Sequence, residues 1–79
     1  MKAWKNYLKK LRMWKASQKL ALMEEELIVD LRKIRAEEGE DVADDLAKAE
    51  ERVAARKAYI AEIDEKITAA KLQISKRPT

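Results

Sequence analysis

A chain of 79 residues with 42% charged side chains, one glycine, one proline and no phenylalanine is too small and too polar for a broad globular core. It has no histidine and no cysteine, so the usual general base, the thiolate nucleophile and the commonest metal ligands are missing. The expectation is a non-enzymatic, all-α protein with no cofactor, metal or small-molecule substrate, made of two long helices zipped along a narrow seam.

The first segment is basic and aromatic. Residues 1–23 carry seven basic side chains (Lys2, Lys5, Lys9, Lys10, Arg12, Lys15 and Lys19) and no acid. Trp4, Tyr7, Leu8, Leu11 and Trp14 share one helical face at about 100° per residue. No apolar run follows the basic start, so neither a signal peptide nor a membrane span is expected. That points to a cytoplasmic protein or a component of a larger soluble assembly.

Further along this arm, Met13, Ala16, Leu20, Met23, Leu27, Leu31 and Ile34 recur at helical spacing on a face roughly opposite the aromatic one. They are expected to form the seam of helix 1, predicted over about 3–38 and kinked near Ser17. Gly39, between Glu38 and Glu40, is the only internal breaker and predicts the turn at 39–40. Asp41 is the expected N-cap of helix 2, with Asp44 in the position of a capping-box acid.

Helix 2 is predicted over about 41–75, followed by a tail at 76–79. Val42, Leu46, Ala49, Val53, Arg56, Ile60, Ile63, Ile67, Ala70 and Ile74 keep an unbroken alternation of four- and three-residue steps, and nine of the ten are apolar. This is the seam of a coiled coil. Folding the arms about Gly39 sets Ile34 near Leu46, Leu27 near Val53, Leu20 near Ile60 and Met13 near Ile67. The expected architecture is an antiparallel two-helix hairpin that assembles into a larger helical bundle. Arg56, the polar seam position, falls across from Met23 and Glu24. There it either snorkels to solvent or, with Glu24, forms a polar layer that fixes register.

Charge is segregated along the rod. Residues 24–51 hold twelve acids against four bases, whereas residues 66–79 hold four bases and no acid. The hairpin therefore brings both basic stretches to its open end and the acids to its turn. Three readings compete for the aromatic segment. Trp4, Leu8, Leu11 and Trp14 could cover Ile67, Ala70, Leu72 and Ile74 if a twist or hinge at Lys15–Lys19 swings that face round. They could dock another protein or copies of this chain, with the aromatics as anchors. Or the segment 1–19 could bind nucleic acid or an acidic lipid surface through its lysines and arginine. The favoured function is a non-catalytic assembly or adaptor protein acting through this basic-aromatic end; the alternative is an anionic-surface binder.

The acidic runs Glu24–Glu26, Glu37–Glu38 and Asp44–Asp45 could be imagined as ligands for a hard metal ion. Neighbouring residues on a helix diverge by about 100°, so these acids read as caps and solvated faces.

Overall fold

The computed structural model describes residues 2–76. It is an antiparallel hairpin of two helices, α1 (Lys2–Glu37) and α2 (Ala43–Lys76), lying side by side in a rod of 63 × 14 × 12 Å. α1 is continuous through Ser17, so the expected kink is absent. Lys76, assigned to the tail from the sequence, belongs to α2, and residues 77–79 lie outside the described residues.

Gly39 ends α1 as the sequence requires. Its φ of 92° is left-handed, where a Cβ is strained. The surrounding bonds form a Schellman cap: the Glu40 amide donates to the Arg35 carbonyl at 3.0 Å and the Gly39 amide to the Ala36 carbonyl at 3.1 Å. An Arg35–Glu40 ion pair at 3.8 Å spans the same corner.

α2 begins two residues later than predicted. The Val42 carbonyl accepts the first helical bond, from the Leu46 amide at 2.8 Å, so Val42 and not Asp41 occupies the cap position. The chain needs that extra length to leave the corner, where the Val42 amide turns back onto the Glu40 carbonyl at 3.1 Å. Asp44 and Asp45 still fall in the first turn, where the helix dipole favours negative charge.

The seam of α2 is the predicted one. Its buried residues are Ala49, Ile60, Ile63, Ile67 and Ala70, all members of the four-three series. The seam of α1 is not the predicted one. Trp4, Leu8, Leu11, Lys15, Gln18, Leu22, Glu25, Val29 and Arg32 are each buried or half-buried, and of the remaining described α1 residues only Ala21 is as sheltered. These nine keep a strict four-three alternation, but four of them are polar. Met13, Leu20, Met23, Leu27, Leu31 and Ile34 point away from α2, with Leu20 and Leu27 exposed to 64% and 66%. The expected pairings Leu20–Ile60 and Leu27–Val53 are therefore wrong in face: α1 is turned by nearly half a revolution about its own axis.

The reason lies in what α2 offers. Near the open end it presents Ile63, Ile67 and Ala70, on which Leu8 and Leu11 close a core flanked by Trp4, Tyr59 and Ile74. Burying a side chain such as Leu11 or Ile63, at 2% and 1% exposure, contributes about 1.5–3 kcal/mol. Midway, α2 presents the charged Arg56, which needs oxygen acceptors. The aromatic-side stripe of α1 supplies both kinds of partner; the Leu20–Leu27 stripe would have set hydrocarbon against a guanidinium.

Candidate functional site: the two faces of the first helix

Four-three spacing puts Lys15, Gln18 and Glu25 on the α2 side of α1, at the level where α2 carries Arg56 and Asp64. The Arg56 Nε donates to Glu25 Oε1 at 2.7 Å, and its Nη1 donates to Gln18 Oε1. Lys15 Nζ lies 2.5 Å from Asp64 Oδ1. The Arg56–Glu25 pair is the more enclosed of the two bridges, with Glu25 18% exposed and Arg56 32%. Charge-assisted bonds of this kind give direction as well as attraction, which apolar contacts do not. Arg56, read from the sequence as either snorkelling or joining Glu24 in a polar layer, bonds to Glu25 and Gln18 instead. Glu24 is exposed, because one residue of helix rotates a side chain by about 100°.

The aromatic cluster divides between core and surface. Leu8 and Leu11, expected on a docking face, are consumed by the hairpin's own core, and Trp4 packs against it. Of the three readings of this segment, covering the end of α2 matches these contacts for Trp4, Leu8 and Leu11. No hinge is involved: the whole of α1 is rotated. Tyr7 remains exposed beside Trp4, edge-on at 6.2 Å, and Trp14 remains exposed while its ring meets Tyr59 edge-on at 5.6 Å.

Lys2, Lys5, Lys9, Lys10, Arg12 and Lys19 are all exposed. Among the described residues no acid pairs with Lys2, Lys5, Lys9, Lys10 or Arg12, nor with Lys66, Lys71 or Lys76 of α2 at the same end. The open end is thus a cationic tip.

The face that sequence reasoning misplaced is the most unusual surface of the molecule. Among the described residues ten large hydrophobic side chains are left exposed; nine lie on α1 and one, Leu72, on α2. Met13, Leu20, Met23, Leu27, Leu31 and Ile34 line up along one side over residues 13–34, about 32 Å of helix. By contrast, the concavities between the helices are shallow grooves with charged rims. One of about 370 Å³ is lined by Glu26, Val29, Asp30, Lys33, Glu50, Val53, Ala54 and Lys57. No helix of the described residues is long and apolar enough to cross a membrane.

Comparison of the chain with protein-family models, with curated proteins and with solved structures finds no match.

Proposed function

We propose that this protein is a non-catalytic assembly or adaptor module that works by helix-to-helix contact with protein. The observation that carries the reading is the exposed stripe from Met13 to Ile34. The docking surface moves accordingly from the basic-aromatic end to the outer face of α1, because Leu8 and Leu11 are already used inside the hairpin. α1 is apolar on two opposite sides, the pattern of a helix meant to lie between neighbours on both. α2 supplies one neighbour; the other comes from outside the hairpin.

The test is a variant carrying Leu20→Gln and Leu27→Gln. The reading expects it to keep its helical circular dichroism while losing the protein association that the parent chain shows by sedimentation or affinity capture. A parent chain that stays monomeric at high micromolar concentration and retains no protein, or a variant that associates as well as the parent, overturns it.

A second reading rests on a separate observation, the eight unpaired cations at the open end. They suit an anionic surface, nucleic acid or acidic lipid, with Tyr7 and Trp14 at the rim. Binding of this kind weakens steeply with salt if it tracks phosphates, whereas lipid insertion shifts tryptophan emission to the blue. Lys5→Gln with Lys9→Gln should weaken either one and leave the hairpin intact.

A further inference from the structure

We infer that the occupant of the outer face of α1 is a second copy of this chain, docked antiparallel so that the two α1 helices lie back to back between two outer α2 helices. This deepens the assembly reading and rests on it.

The distribution of apolar surface selects a second α1 as the mate. α2 exposes only Leu72 among its large hydrophobic residues, so it offers no stripe to a partner copy; α1 offers one three heptads long. A stable dimer of standard size requires about 800 Å² from each partner, which two such stripes and their flanks would have to supply between them. That area is roughly an eighth of the monomer's 6179 Å².

Charge selects the orientation. The stripe continues at helical spacing to Lys9 at one end and to Glu38 at the other. All charges of α1 before Glu24 are positive, whereas from Glu24 onward five acids (Glu24, Glu25, Glu26, Asp30 and Glu37) outnumber three bases (Arg32, Lys33 and Arg35). Parallel docking would lay the basic half on the basic half. Antiparallel docking about a two-fold axis near Met23 brings Lys9 of each copy to Glu38 of the other, and Lys19 beside the other copy's Glu26 and Asp30. Leu20 then packs near Leu27 of the other copy, and Met13 near Ile34. A two-fold contact uses one patch twice, which is why an internal plus-to-minus gradient is self-complementary only when reversed. Glu24 meets its own copy in either orientation and does not discriminate between them.

Sedimentation of the full chain from micromolar to millimolar concentration tests the stoichiometry. The expected result is a dimer, with Leu20→Gln and Leu27→Gln together weakening association by about 100-fold or more at unchanged helicity. The absence of native cysteine allows a clean test of direction. In an oxidised mixture of two single variants, Met13→Cys and Ile34→Cys, the expected disulfide joins one variant to the other. A dimer linked instead through Met13→Cys to itself overturns the antiparallel arrangement.

A chain that remains monomeric throughout overturns the second copy as occupant. In that case affinity capture separates the two failures. A protein retained by the parent and lost by the Leu20, Leu27 variant leaves the assembly reading standing with a different partner; no retained protein removes both.

Discussion

The two sides of α1 invert the usual rule. The side packed on α2 is interrupted by Lys15, Gln18, Glu25 and Arg32, while the side facing water carries Met13, Leu20, Met23, Leu27, Leu31 and Ile34. If burial of hydrocarbon alone chose the contact, the second side would win. The hairpin instead takes the side on which the large apolar groups, Trp4, Leu8 and Leu11, meet the most apolar stretch of α2, and on which the oxygen atoms of Gln18 and Glu25 meet Arg56. What a helix face is worth depends on what stands opposite each position, apolar against apolar and acceptor against charge.

A matched pair of substitutions gives the sharpest contrast between the two sides. Leu11→Ala should cost about 2–5 kcal/mol in urea or thermal unfolding of the dilute chain, enough to unfold much of so small a hairpin. Leu20→Ala, the same chemical change on the outer side, should alter monomer stability by no more than about 0.5 kcal/mol. Equal costs would mean that the two sides are not distinguished as described.

Gly39→Ala comes next. A Cβ forced into the left-handed region at the corner should cost about 1–2 kcal/mol, though nothing lies within 4 Å to clash with it. An unchanged melting temperature would show that the corner is not held in its Schellman form. A smaller contrast separates neighbours in the acidic run. Glu25→Ala leaves a half-enclosed Arg56 short of an acceptor and should cost about 1 kcal/mol, whereas Glu24→Ala should be near neutral. A reversed order would return the polar layer to Glu24.

These contrasts also mark how far the sequence could be read. The seam of α2 was plain, because only one of its faces is apolar and the four-three spacing runs unbroken from Val42 to Ile74. The corner was plain, because a lone glycine flanked by acids has few other uses. The face of α1 was ambiguous, because apolar residues on opposite sides largely cancel in any single direction. One signal could have decided it. The stripe through Met13 takes two four-residue steps in succession, Met23–Leu27–Leu31, whereas the stripe through Trp4, Leu8 and Leu11 keeps strict alternation to Arg32. Matching Arg56 to an oxygen-bearing position on α1, rather than treating it as an exception to an apolar seam, would have pointed the same way. The axial level is nonetheless close where contacts can be compared, since Arg56 meets Glu25 and Leu11 shares a core with Ile67; the difference is one of rotation. The start of α2 was displaced because an N-cap read from residue type alone takes no account of the length of backbone needed to leave the preceding corner.

α1 turns its Trp4–Leu11 side inward and its Leu20–Leu27 side outward. Nuclear Overhauser contacts between assigned side chains test this orientation most directly, and they do so whether or not the hairpin pairs with a copy of itself. Cross-peaks are expected from the Leu11 methyls to Ile63 and Ile67 and from the Trp14 ring to Tyr59. Cross-peaks from Leu20 to Ile60 and from Leu27 to Val53 would contradict it.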